Sequence, residues 1–299
     1  MNEKPPICSY EGSDYQTSFW EHGGRAYEDA VEEIALKRLL PENGKLLLEL
    51  GAGAGRNTHR YEGFEKIVLL DYSRTQLEQA RERLGTKDRF RYVAADVYHL
   101  PFVNGLFDCS TMIRTLHHMA EPRLALEQVR NVLKEQAIFI LEYANKKNVK
   151  SILRYLLGRQ DWNPFTPEPV EFVSLNYDFH PSTVCSWLES CNFVVERQLT
   201  VSHLRMNFLK KIIPIKLMIA MDSLFQLTGD MWQLTPSVFA RTQAVGDTSK
   251  VAIGGFFRCP SCGNQELEDT PPEIICPDCQ RVYPVVNDIY DFRLDVLEK

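Results

Sequence analysis

No apolar run in this 299-residue chain is long enough to span a bilayer. The most apolar stretch, Ile212 to Met221, is interrupted by Pro214 and Lys216 and falls short of the roughly 20 residues a spanning helix needs. Met1 to Tyr10 is polar and contains prolines, so it lacks the apolar centre of a secretory leader, and the expectation is a cytoplasmic protein with no integral membrane insertion. There is no internal repeat and no compositional bias. With 44% apolar and 25% charged residues, neither a disordered nor a fibrous chain is indicated. A basic excess is missing too. The formal net charge is −6, and Phe256 to Lys299 holds nine acidic against four basic residues, which leaves the body nearly neutral and the tail acidic. The eight cysteines offer no disulfide framework. Cys8, Cys109, Cys185 and Cys191 stand singly and the other four form two tight pairs, a distribution that suits a reducing compartment and a metal site.

What is present is an alternation. Asp29 to Leu40 places Val31, Ile34, Ala35 and Leu39 at helical spacing, and Pro41 to Gly44 ends that helix. Short apolar runs at 45–50, 66–71, 91–96, 107–113 and 137–143 read as strands, with helices between them after Ser73 and over Pro122 to Leu133. Ser73 and Gln76 have the spacing of a capping box. Continuous apolar strands alternating with helices predict a mostly parallel sheet covered on both faces. Beyond it, Val149, Ile152, Leu153, Leu156 and Leu157 mark one face of a helix whose other side carries Lys147, Lys150 and Arg154. A helix near 182–190, a strand at 193–200, an apolar helical region through Leu227 and a strand at 237–243 follow. The small, polar stretch 244–250 marks a domain boundary. This divides the chain into 1–248, comprising an N-terminal lid and helix (1–40), a core (45–145) and cap elements (146–236), and a terminal unit, 251–299.

Glu49-Leu-Gly51-Ala52-Gly53-Ala-Gly55-Arg56 follows the first strand. Glycine there lets a ligand approach the backbone closely. Asp71 ends the next strand, where a carboxylate can accept both hydroxyls of a ribose. The glycines fall at every second residue rather than in the pyrophosphate-binding order G-x-G-x-x-G, and nothing in the chain supplies a hydride-transfer site, which argues against a dinucleotide enzyme. This pattern resembles the class I S-adenosylmethionine-dependent methyltransferases, of the type 11 kind. The resemblance continues through Ala95-Asp96-Val97 to Pro101-Phe102, Phe107-Asp108 to His117-His118, and Val129 to Glu142. It implies a Rossmann-like α/β fold with a seven-stranded, mostly parallel sheet, and S-adenosyl-L-methionine as cofactor. It further implies that Glu49 accepts from the methionine ammonium, that Asp96 binds the adenine amino group and that Val97 flanks the ring. Tyr72 and Arg114 complete the expected cofactor shell. In His22-Gly-Gly-Arg25-Ala-Tyr27, Arg25 would face the cofactor carboxylate under a lid that includes Tyr15 and Trp20, or these residues only anchor the first helix.

Methyl transfer from a sulfonium is an in-line displacement in which positioning dominates. Where the acceptor is a hydroxyl, His117 or His118, just past the fourth strand, is placed to remove its proton. The Asn-Pro-Pro-Tyr signature of amino-directed nucleic-acid and protein methyltransferases is absent after that strand. The segments 145–178 and 203–236, rich in Phe, Leu, Met, Tyr and Trp, suit a small apolar acceptor such as a quinone, lipid or polyketide-like ring, although core packing explains the same residues. The basic helix face near Asn148 suits a solvated surface or a contact with anionic lipid or RNA.

Cys259-Pro-Ser-Cys262 and Cys276-Pro-Asp-Cys279 are two C-x-x-C knuckles, predicting a small β-rich zinc ribbon whose four thiolates leave no position for water, so that the zinc is structural. With Cys279 to Pro284 and Ile289 to Phe292, the segment resembles the small zinc-ribbon activators of tRNA, rRNA and release-factor methyltransferases, except that Asn287-Asp288 stands where Asp-Gly is usual. That resemblance implies a rival acceptor, RNA or a translation factor, against which the ribbon's negative charge counts. A non-catalytic S-adenosylmethionine-binding scaffold is the third reading. Oligomeric state is not encoded in any of these patterns.

Overall fold

In the computed structural model, residues 5–13, 18, 20, 24–247 and 255–295 are described. Along the chain they form α1 (Ala26–Leu39), β1 (Gly44–Leu50), β2 (Phe64–Asp71), α2 (Arg74–Leu84), β3 (Phe90–Ala94), β4 (Phe107–Met112), α3 (Pro122–Val132), β5 (Leu133–Ala144) and α4 (Val149–Leu156). There follow β6 (Val170–Val173), β7 (Asn176–Asp178), α5 (Pro181–Ser190), β8 (Phe193–Val201), α6 (Asn207–Ile212), α7 (Ile215–Phe225), β9 (Ser237–Ala244), β10 (Glu273–Ile275), β11 (Val282–Val286) and β12 (Ile289–Asp291). Ten strands join one sheet in the order β10-β11-β12-β3-β2-β1-β4-β5-β9-β8. Strands β1 to β5 are mutually parallel, whereas β9 runs antiparallel to both β5 and β8.

The apolar runs are continuous because both faces of these strands are buried. Leu48, Leu50, Val68, Leu70 and Val93 enter one core, while Leu47, Ile67, Leu69, Tyr92 and Ala94, their neighbours in sequence, enter the other. Strand order reverses between β1 and β4, so the loops after these two strands diverge and leave a crevice at the C-terminal edge of the sheet.

Helix α1 is held on α7 by Tyr27, whose hydroxyl donates to Asp222 Oδ2 (2.5 Å) and accepts from the Leu204 amide (3.0 Å). The capping box at α2 forms only by half. Ser73 Oγ accepts from the Gln76 amide (3.3 Å), but the Gln76 side chain donates to the carbonyl of Ser13 (2.9 Å) in the N-terminal arm instead of turning back.

The seven strands β1 to β5, β8 and β9 make the expected sheet, and the terminal segment extends it. Strand β12 pairs in parallel with β3, matching Ile289 with Tyr92 and Asp291 with Ala94. Its hairpin with β11 turns on Asn287 and Asp288, both at positive φ (55° and 59°), as a two-residue type I′ turn demands. Phe257 packs on Phe102, Tyr290 and Phe292, joining the ribbon to the core of the body. The cap departs from the core-packing expectation. Leu153, Leu156, Phe208 and Ile212 on the short helices α4 and α6, and Trp232 in the loop before β9, are exposed, with no further layer of the described residues over them.

Candidate active site and metal centre

The turn after β1 needs its glycines for two different reasons. Gly51 (φ +65°) could not carry a Cβ, which would lie 2.1 Å from Thr115 Oγ1 in the loop after β4. At Gly53 (φ +52°) a Cβ would meet nothing nearer than Gln76 Oε1 at 3.8 Å, so there the constraints are the backbone angle and the open space in front of it. That space is a cleft of about 1060 Å³, mouth included, walled by the ends of β1 to β4 and by Pro6, Ile7, Cys8 and Tyr10 of the N-terminal arm.

Asp71 forms the floor between the first two strands. Its Oδ2 accepts from the Gly53 amide (2.8 Å) and its Oδ1 from the Ser73 amide (2.9 Å), which fixes the carboxylate while leaving lone pairs for a diol. Burial raises its pKa, partly offset by these amides. Asp96 begins the short helical turn after β3. It accepts from the Tyr98 amide (2.9 Å) and lies 3.1 Å from His99 Nδ1, with Val97 beside it in the wall.

Arg56 and Arg114 meet at Glu32 of α1, a fully buried carboxylate. Arg114 Nε donates to Oε1 (2.7 Å) and Arg56 Nη2 to Oε2 (2.8 Å). Burial pushes the Glu32 pKa up, but Arg114 and then Arg56 outweigh it and hold the group below the usual carboxylate range. Both guanidinium groups lie over the ring of Trp20, at 3.6 and 4.9 Å from its centroid.

The cleft therefore gathers Gly51, Ala52, Gly53, Arg56, Asp71, Tyr72, Asp96, Val97, Arg114 and His118 of the expected site, together with Trp20 of the expected lid. Other expected residues lie behind it. Glu49 is buried under the turn and accepts from Thr58 Oγ1 (2.6 Å), and burial raises its pKa to about 7. Gly55 serves packing, since a Cβ there would come within 2.8 Å of Leu84 on α2. Arg25 pairs with Glu28 (3.6 Å) at the start of α1, and Tyr27 anchors that helix. His117 is not in the wall, and its Nδ1 is buried with no hydrogen-bond partner among the described residues. Tyr15 and His22 lie outside the described residues.

His118 is different. Its Nδ1 is 3.0 Å from the carbonyl of Leu175, which can only accept, so Nδ1 carries the hydrogen and Nε2 the lone pair. Tyr10 donates to that Nε2 at 3.1 Å. Burial pushes the His118 pKa down, the Leu175 bond only partly offsetting it, so the ring is neutral at pH 7.

Sequence reasoning expected a lid within residues 1–40 but singled out neither Pro6, Ile7, Cys8 and Tyr10, which wall the cleft, nor Glu32. The arm gives no periodic signal. Glu32 was readable only as an acidic residue beside Val31 on the packed side of α1.

In the ribbon, the four cysteine sulfurs lie within 4.8 Å of one another, with Cys259 to Cys279 at 3.6 Å and Cys262 to Cys276 at 3.5 Å. Ligands about 2.3 Å from a tetrahedral ion would stand about 3.8 Å apart, so the set fits a metal of that geometry. The Tyr283 hydroxyl lies 3.0 Å from Cys259 Sγ and would donate to it as a metal-bound thiolate, an outer contact that would orient the ligand. The ribbon reaches the cleft as well. Tyr72 donates to Asp295, and Arg293, clamped by Asp291, reaches Glu11 of the N-terminal arm (3.2 Å) and the carbonyl of Tyr72 (3.4 Å).

The sequence profile of a family described as "Methyltransferase domain" matches residues 48–141. A demethylmenaquinone methyltransferase of Clavibacter sepedonicus is 30% identical over 189 residues, covering 58% of this chain and 76% of that protein. The ubiquinone/menaquinone biosynthesis C-methyltransferase UbiE of Escherichia fergusonii is 31% identical over 109 residues, 34% of this chain and 43% of its own length. Among solved structures, the complex between the Haloferax volcanii Trm112 methyltransferase activator and a methyltransferase superposes with a TM-score of 0.55 at 16% identity, covering 78% of this chain and 96% of the matched one. Cleft, profile and relatives agree, and the chain belongs to the S-adenosylmethionine-dependent methyltransferases.

Proposed function

We propose that residues 1–248 methylate a small lipophilic acceptor of the hydroquinone kind, with residues 251–299 forming a structural zinc ribbon on the edge of the sheet. In this reading Asp71 takes the ribose hydroxyls and Asp96 the adenine amino group beside Val97. The bare backbone of Gly51 and Gly53 leaves room for the methionine tail. Arg56 and Arg114 lie on the side where a carboxylate would be received. The bound cofactor supplies an electrophilic methyl group on a sulfonium.

The observation that carries the acceptor class is the wall built around the residues after β4. There Ile113, Met119 and Tyr10 present apolar surface and His118 offers a single neutral nitrogen. An acceptor hydroxyl placed where the Tyr10 hydroxyl now donates would pass its proton to His118 Nε2 as the methyl group arrives. The names of the quinone-methylating relatives support the same class. A macromolecular acceptor gripped by the ribbon is disfavoured by charge, since the terminal segment already carries five net negative charges and four thiolates around a divalent ion add two more.

The test is transfer of labelled methyl from S-adenosylmethionine to demethylated quinols. Label in the organic extract is the expected result, and label confined to RNA or protein fractions would overturn the acceptor assignment. Because the His118 pKa lies below the usual 6.5, kcat/KM should be flat above that pH and fall only below it, as the ring gains its proton. His118→Gln should abolish this acid limb and reduce the rate about a hundredfold. An unchanged profile would remove His118 from proton transfer.

Asp71→Ala should weaken cofactor binding by at least about 1 kcal/mol, read by calorimetry, because two hydrogen bonds to a charged group disappear. Equal affinity in the two proteins would place the ribose elsewhere.

A further inference from the structure

The end of the molecule where the cleft opens presents its apolar residues outward. Helix α4 buries Ser151 and exposes Leu153 and Leu156 (53% and 69%), while α6 exposes Phe208 and Ile212 (52% and 75%). Trp232, ahead of β9, is 64% exposed. Topology gathers these groups at one end. α4 leaves the C-terminal end of β5, residues 202–217 leave the C-terminal end of β8, and β8 runs parallel to β5 because β9 is antiparallel to both. The Val149 amide donates to the carbonyl of Leu234 (2.9 Å), tying α4 to the segment that carries Trp232.

Charge singles out the same surface. Residues 146–160 contain five Lys or Arg and no acid, and residues 201–221 contain four and no acid, in a chain whose net charge is −6. Some of these cations serve the interior. Lys146 is buried and Lys210 pairs with Glu28. Lys150, Arg154, Arg159, Lys211 and Lys216 are exposed among the outward leucines and isoleucines.

A solvated helix face would carry the lysines without the leucines. RNA would answer the charge but gains nothing from exposed aliphatic side chains, and a second copy docking through the same face would bring like charge against like. We propose that this end docks on the surface of an anionic phospholipid bilayer, with the apolar side chains entering the interface and the Lys and Arg groups meeting headgroup phosphates. This inference stands apart from the identity of the methyl acceptor and concerns binding rather than catalysis.

Co-sedimentation with phosphatidylcholine vesicles, with and without phosphatidylserine, tests it on the full chain. Anionic lipid should raise the bound fraction at least about tenfold, and added salt should lower it. Two variants should each lose that gain with unchanged melting curves, since every altered position is exposed: Lys150→Glu with Lys211→Glu and Lys216→Glu, and Leu156→Asp with Ile212→Asp. Equal partition onto neutral and anionic vesicles, no partition, or variants that bind as the parent does would overturn the proposal. So would light scattering that finds a dimer broken by Leu156→Asp with Ile212→Asp, or charge reversal that abolishes binding to an RNA homopolymer while leaving vesicle binding intact.

Discussion

On the proposal that the four cysteines hold a structural zinc, stripping that metal should unfold residues 255–295. A segment of about 40 residues buries too little apolar surface to fold unaided, whereas binding of zinc to four thiolates is worth roughly 10 to 16 kcal/mol in small zinc-dependent units. The damage should not stop at the ribbon. Phe257, Phe292 and Tyr283 belong to the core that continues into Phe102 and Phe107, and β12 covers the edge of β3. Loss of the ribbon therefore uncovers apolar surface and an open strand edge together, an invitation to aggregation. Elemental analysis should find about one zinc per chain, and chelation should lower the melting temperature and free the backbone amides of 273–291 to hydrogen exchange. Metal-free protein with reduced cysteines and an unchanged melting curve would remove the metal centre.

The second large effect is expected at Glu32. Replacing it with alanine leaves Arg114 and Arg56 without the buried carboxylate that both address, and removing one partner of a buried ion pair typically costs 3 to 5 kcal/mol. Denaturant unfolding should show the loss as a lower midpoint with an unchanged slope. Because the folded-state pKa of Glu32 lies below its ordinary value near 4.5, its contribution is present at neutral pH and is lost as pH falls below that value, so parent and variant should converge in acid. Cofactor affinity should fall at the same time, since the two arginines line the cleft and brace Trp20. A variant as stable as the parent would mean that this carboxylate is replaceable by water.

How much of this was legible in the sequence depends on the range of the interaction. The parallel strands could be read because burial on both faces demands runs such as Leu46 to Leu50, and the turn could be read because Gly51 leaves no alternative residue type. Cys259, Cys262, Cys276 and Cys279 were readable because a metal needs its ligands at short spacing. Contacts made by segments far apart in the chain were not readable. The bond between Tyr10 and His118 spans 108 positions, that between Arg293 and Glu11 spans 282, and neither leaves a local pattern. Glu49 holds its motif position but is buried. Its position after the strand suggested contact with ligand, while the fold turns the side chain inward to Thr58. The outward leucines of α4 show a limit of such reading, because helical spacing reveals a stripe without telling which way it faces.

The pairing of β12 with β3 joins two parts of one polypeptide, so it forms without any encounter between molecules. A ribbon supplied as a separate subunit would be lost on dilution, and its occupancy would follow the expression of two genes. Here the covalent link fixes the ratio at one to one and replaces a dissociation constant with an effective concentration that no dilution changes. Turnover per molecule should accordingly be the same at nanomolar as at micromolar protein, a form of constancy that an assembled pair cannot offer.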